Sequence, residues 1–181
     1  MSKSKTGFTM IELLVTIAIA AILATIAVPG MQGYLARSRL DRIANTIQAD
    51  VAFARGEALR RQRSVSICPA NIKPNMAGDI ACDDEMNWGN GWVVFTDPAS
   101  TGVVGAIDNQ ADILRVREGT SGVTLGPQGG WDGAASILFS PSGTSSVAGG
   151  LRVCPNGMNR GVTINLVRGG RTSRTAAVCP V

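Results

Sequence analysis

The sequence predicts an α+β fold in which one long N-terminal α-helix, membrane-spanning over its first half, packs on a C-terminal antiparallel β-sheet head. Three observations carry this expectation. A predominantly apolar run from Phe8 to Val28 contains a single charge, Glu12, and stops at Pro29-Gly30. Ala36, Leu40, Ile43, Ile47, Val51, Ala54 and Ala58 then recur at steps of three and four, as one apolar stripe of an amphipathic helix running to about Arg63. Beyond residue 63 the pattern changes to short β-rich runs separated by turn residues, which argues for antiparallel sheet rather than βαβ units.

The first segment, residues 1–7, carries Lys3 and Lys5. Basic residues before an apolar run place that end in the cytoplasm and the bulk of the chain outside it. The run from Phe8 to Pro29 has the length of a span, about 20 residues. A secretory signal peptide is the ordinary rival, but Thr25-Ile-Ala27 makes only a weak cleavage site and Glu12 is an awkward guest near a signal core. A carboxylate inside such a run costs about 2.5–3.5 kcal/mol, so Glu12 marks a functional site. Pro29 removes a helix hydrogen bond and kinks the helix, and residues 30–63 form its amphipathic half. Arg60, Arg61 and Arg63 crowd its last turn, where positive charge suits the negative end of the helix dipole. Arg37, Arg39 and Arg42 follow the span, where lipid headgroups or neighbouring carboxylates would meet them.

Residues 64–181 form the head. Its strands are expected at 64–68, 92–96, 113–117, 122–125, 136–140, 151–154, 162–167 and 175–179, with turns at Pro141-Ser-Gly143 and Gly149-Gly150. Residues 69–91 read as a longer polar loop. Trp88 and Trp92 are expected as core anchors. Four cysteines lie in the head, and an even count in a non-cytoplasmic chain reads as a disulfide framework. Three pairings are possible; Cys68–Cys82 with Cys154–Cys179 is favoured because each closes a short local loop.

Charge is unevenly spread. From Ser64 to Asp132 there are nine carboxylates and three basic residues, whereas from Gly133 to Val181 there are five arginines and neither a carboxylate side chain nor a lysine. Such asymmetry suggests an electrostatic partner. The arginines Arg152, Arg160, Arg168, Arg171 and Arg174 either pair with Asp79, Asp83, Asp84 and Glu85 or a neighbouring subunit, or contact DNA. Without interleaved aromatics, such DNA binding would be independent of sequence and steeply salt-dependent.

Catalysis is not expected. The chain has no histidine, which removes the commonest general base and metal ligand. It has no phosphate loop, and Ser140-Pro-Ser142-Gly143 has no visible base. The cysteine spacing lacks the tight pairs of a zinc site. No metal and no cofactor are expected.

Gly7-Phe8-Thr9-Met10-Ile11-Glu12-Leu13-Leu14 resembles the class III leader of type IV pilins and type II secretion pseudopilins. Trp88-Gly-Asn-Gly-Trp92-Val-Val-Phe95 and Phe139-Ser-Pro-Ser-Gly143 resemble the GspH/FimT subgroup of those proteins. The resemblance implies a type IV pilin-like fold and a leader, residues 1–7, cut after Gly7 by a prepilin peptidase, with N-methylation of Phe8. It implies that Glu12 pairs with the N-terminal amine of a neighbouring subunit. The implied role is a minor pilin of a type IV pilus, joining or priming the filament, at its tip or elsewhere. The alternative is an H-type minor pseudopilin of the type II secretion system. Implied partners are other pilin subunits, the peptidase and the inner membrane, crossed once with a periplasmic head before assembly. Some FimT proteins also bind double-stranded DNA through a C-terminal Gly-Arg-x-Arg motif; here the spacing is Gly170-Arg171-Thr-Ser-Arg174, one residue longer.

Overall fold

A computed structural model describes residues 8–72, 79–83, 87–97, 107–131, 134 and 136–180, excepting the side chains of 26–30 and 32. The leader residues, Gly7 among them, lie outside this set, as do Asp84 and Glu85. Helix α1 runs Met10–Arg61. The chain divides into two compact units, Met1–Arg37 and Ser38–Val181.

In the first unit every described side chain from Phe8 to Thr25 is exposed, including Met10, Ile11, Leu13 and Leu14. So much uncovered apolar surface on one helix marks a contact surface. Among the described residues, whose side chains in this apolar run end at Thr25, no helix is long and apolar enough to cross a membrane.

The second unit holds the whole buried core. Its eight strands are β1 Val65–Pro69, β2 Gly91–Thr96, β3 Ile113–Glu118, β4 Val123–Gly129, β5 Ile137–Phe139, β6 Gly149–Pro155, β7 Arg160–Leu166 and β8 Thr172–Val178. They form two four-stranded sheets, β3-β2-β1-β5 and β4-β6-β7-β8, and every pairing is antiparallel. The expected strands are all present, but in two sheets rather than one. Leu40, Ile43, Ala44, Ile47, Val51, Ala54 and Ala58 of α1 are buried in one core with Val65, Ile67, Trp92 and Val94 of the first sheet and Leu151, Val153, Ile164 and Leu166 of the second. Each fully buried aliphatic side chain contributes about 1.5–3 kcal/mol.

The first sheet is covered on both faces, which explains why β1 and β2 are buried at every position instead of alternating. The outer face, with Cys68, Val93 and Phe95, packs against Ile72, Ile80 and Ile107 of the connecting loops. The Cys68–Cys82 disulfide ties the first of these loops to β1. Gln110 holds it from the other side: the Ile80 N–H donates to the Gln110 side-chain oxygen at 3.0 Å, and the Gln110 amide donates to the Ile80 carbonyl at 2.9 Å. In the second sheet, Cys154–Cys179 fastens the end of β8 back to β6.

Asp50 is the one fully buried carboxylate of α1, lying on the apolar side of the helix. Its oxygens accept from Trp92 Nε1 on β2 at 2.9 Å, from Arg115 Nη1 at 2.6 Å, and from Arg117 Nε at 2.8 Å on β3. Arg115 also lies over the Phe53 ring, 3.7 Å from its centroid. Burial alone would push the Asp50 carboxyl up; the hydrogen bonds from Arg117, Arg115 and Trp92 together outweigh it and hold the group below the usual carboxylate range.

Removing one partner of a buried ion pair costs about 3–5 kcal/mol. The Arg115 and Arg117 side chains are 31% and 40% exposed and reach water, so Asp50→Asn is expected to cost less, about 2–3 kcal/mol, in urea melts of the full chain in detergent. Because the folded-state pKa is lowered, this stabilisation is present above the ordinary aspartate pKa of ~3.9 and is lost as pH falls through the lower folded value. The wild type should therefore lose stability steeply below about pH 4, and the Asn variant should lack that component.

Candidate functional site

Two regions carry the residues singled out by sequence. The first is the start of α1. Phe8 precedes the helix, Thr9 caps it by accepting from the Glu12 N–H at 3.4 Å, and Glu12 lies in the first turn. A carboxylate there also suits the positive end of the helix dipole. Phe8 is 78% exposed, so the start of the helix is open to another molecule.

The second region is the set of five head arginines, and these do not form one row. Arg174 on β8 faces α1. Its guanidinium donates to Asn45 Oδ1 at 2.7 Å and Gln48 Oε1 at 2.9 Å, and meets Asp41 at 3.4 Å. Its carboxylate partner is thus on the helix, not in the acidic loop around Asp79. Arg152 lies on the opposite face of the second sheet, in a groove of about 410 Å³ lined also by Thr124, Gln128 and Cys154. With its amide oxygen turned inward, Gln128 accepts from Arg152 Nε at 3.0 Å. Arg160 is exposed at the start of β7. Arg168 and Arg171 are exposed in the β7–β8 turn, at the other end of the same strand.

That turn is built into the fold by glycine. Gly170 has φ +74°, and a Cβ there would come within 2.5 Å of the Gly143 carbonyl and 2.8 Å of the Arg55 side chain. Gly143, closing the Phe139-Ser-Pro-Ser-Gly143 turn, has φ +76°, and its carbonyl accepts from Arg55 Nε at 3.0 Å. Gly170 therefore serves close packing of the two turns on α1 rather than close approach to a ligand. The Trp88-Gly-Asn-Gly-Trp92 segment also serves the core. Trp88 and Trp92 are both buried, and Trp88 stacks on Trp131 with centroids 5.5 Å apart.

At the end of α1, hydrogen bonds from Arg60 and then Arg61 hold the Glu57 carboxyl at about 2. Arg60 donates at 2.7 Å and Arg61 at 2.5 Å, so these two arginines answer a side chain as well as the helix dipole. Sequence reading missed Asp50 and its arginines. The signal was a carboxylate interrupting the apolar stripe, together with arginines two apart on one strand face.

Comparison with known proteins places these features. Residues 44–170 match the model of the family described as type II transport protein GspH, and residues 2–28 match the prokaryotic N-terminal methylation motif. The chain is 32% identical over 123 residues to the fimbrial protein EcpC of Eikenella corrodens, covering 68% of this chain and 73% of that protein. It is 29% identical over 146 residues to a type IV major alpha-pilin of Moraxella bovis, covering 78% and 81%. Among solved structures it is similar in fold to the type IV minor pilin FimU of Pseudomonas aeruginosa, with a TM-score of 0.52 and 22% identity over 75% of this chain and 92% of that one.

The glycine geometry gives a paired test. Gly170→Ala should cost more than about 2 kcal/mol, from the left-handed backbone and the clash together. Gly169→Ala, whose added Cβ meets nothing within 4 Å, should stay within about 0.5 kcal/mol of wild type. Thermal melts of both variants check this.

Proposed function

The chain belongs to the type II transport protein GspH family of pilin-like proteins, and on that premise we propose that it is a minor pilin of a type IV pilus. The family and fold are those of structural subunits that assemble with other pilins, not of enzymes. The observation that carries the reading is the start of the chain. A methylation motif over residues 2–28 leads into a helix whose described side chains from Phe8 to Thr25 are all exposed. Such a helix needs a bilayer or a bundle of its own kind around it.

In this reading the peptidase cuts after Gly7 and Phe8 becomes the methylated N-terminus. The run from Phe8 to Val28 crosses the inner membrane once, with the head in the periplasm. On extraction the helix enters the filament core. There the Glu12 carboxylate pairs with the terminal ammonium of a neighbouring subunit, and the desolvation of both groups makes correct register a condition of burial. The protein joins or primes the filament, and its head can stand at the tip. Fimbrial relatives support the pilus. The family model's own description supports the second reading, an H-type minor pseudopilin of type II secretion. A further role in DNA uptake rests on the excess of arginine in residues 133–181.

Glu12→Ala should leave leader cleavage intact and lower the amount of chain in sheared filaments about tenfold or more, since an unpaired ammonium would be left in the apolar core. Immunoblots of the filament and membrane fractions measure this. Normal incorporation would remove the proposed role of Glu12. Deleting the gene separates the two readings: loss of surface filaments with secretion intact supports the pilus, and the reverse supports the pseudopilus.

A further inference from the structure

The outer face of the second sheet carries a groove that the filament reading does not use. Leu151 and Val153 of β6 point into the core with α1, so Arg152 and Cys154 between and after them point outward. On β4, Val123 and Leu125 point inward, so Thr124, Gly126 and Gln128 share the outer face. Gly126 pairs with Arg152 and Thr124 with Cys154. A side chain at Gly126 would therefore stand beside Arg152, and a Cβ built there meets nothing within 4 Å. The missing side chain leaves room for the groove, whose volume of about 410 Å³ falls in the range of formed ligand sites, roughly 300–1,000 Å³.

Its walls are apolar and stiff. Pro127, Pro155 and Pro180 line it together with Cys154, which is fixed by its disulfide to Cys179. Such walls have little freedom left to lose when a ligand is bound. At the rim the exposed side chains of Thr124 and Asn156 meet in a long hydrogen bond of 3.3 Å. A bond of that length between exposed groups is readily exchanged for one to a peptide N–H or carbonyl. Arg152 is the only charged residue of the lining. It is half-buried, and its Nε and Nη2 donate to the neutral amide oxygen of Gln128. Gln128 thus takes one edge of the guanidinium and leaves Nη1 and the outer Nη2 proton, the two N–H groups at the end of the fork. That pair matches the two oxygens of a carboxylate.

We propose that this groove binds an extended acidic peptide segment, with one carboxylate side chain on Arg152 and its apolar neighbours on the prolines. A guanidinium whose partner is a neutral amide keeps its charge uncompensated, and away from open water a charge-assisted hydrogen bond is stronger. The lining contains no aromatic ring, so it offers no platform on which a base could stack. The site stands whether the head is carried by a pilus or by a pseudopilus.

The test titrates the full chain, in detergent, with acetyl-Val-Glu-Val-amide and acetyl-Val-Gln-Val-amide, read by ligand-observed NMR. The Glu tripeptide should bind about tenfold or more tighter than the Gln tripeptide, and tighter than acetate by a similar factor. Arg152→Gln should abolish the preference for Glu over Gln. Gly126→Val fills the groove beside Arg152 and should weaken the Glu tripeptide about tenfold or more, with a thermal melt like that of the wild type. If Arg152→Gln lowers the melting temperature, Gly126→Val alone decides. No binding, equal affinity for the two tripeptides, or a Glu preference that survives Arg152→Gln overturns the proposal. Acetate binding as tightly as the Glu tripeptide would make this a bare anion site, and inorganic phosphate displacing that tripeptide better than acetate does would make it a phosphate site; either result also overturns it.

Discussion

The buried carboxylate of Asp50 is the constraint on which the head depends. Without a partner it would be an intolerable charge in an aliphatic core. With Trp92, Arg115 and Arg117 around it, it fixes where β2 and β3 lie along α1. An apolar stripe alone would let the helix slide or rotate by a residue at modest cost. A carboxylate that must meet three donors allows one position. Its energetic return is modest, because desolvation opposes the hydrogen bonds. Its return in registry is large, and the same logic applies to Glu12 at the other end of the helix. One carboxylate sets the register of helix on sheet, and the other, in the proposed filament, sets the register of helix on helix.

The second sheet is located differently. Its inner face contributes Leu151, Val153, Ile164 and Leu166 to the shared core, while Arg174 reaches across to Asp41, Asn45 and Gln48. At the end of α1, Gly143 and Gly170 let two turns close on Arg55. Disulfides fasten what the core does not: Cys82 holds a covering loop, and Cys179 holds the edge strand. The outcome is a braced head, while the side chains from Phe8 to Thr25 are left uncovered, which suits a subunit that inserts by its N-terminal helix.

Much of this was legible in the chain. The period of three and four gave the core stripe of α1 nearly residue for residue, and each of the eight strands was placed to within a few positions. Both short-loop cysteine pairs are joined in the structure. The division into two sheets was not legible, because strand pairing across the Gly129–Gly149 region depends on packing against α1 rather than on local pattern. The roles of the arginines were not legible either. Arg174 and Arg171 differ by three positions along the sequence; one lies on β8 and is engaged by the helix, and the other precedes the strand and is exposed in the turn. Gly170 stands in the stretch that resembles a DNA-binding motif, and its neighbours make it a packing residue.

In the proposed function, the N-terminus of the filament subunit is made by processing within the methylation motif of residues 2–28. The most direct measurement is mass spectrometry of the chain recovered from sheared filaments, reading its N-terminal peptide. It should begin at Phe8, carry one added methyl on the terminal amine, and be present with other pilins. A chain that still begins at Met1, or that stays in the membrane fraction while filaments assemble without it, would contradict the account.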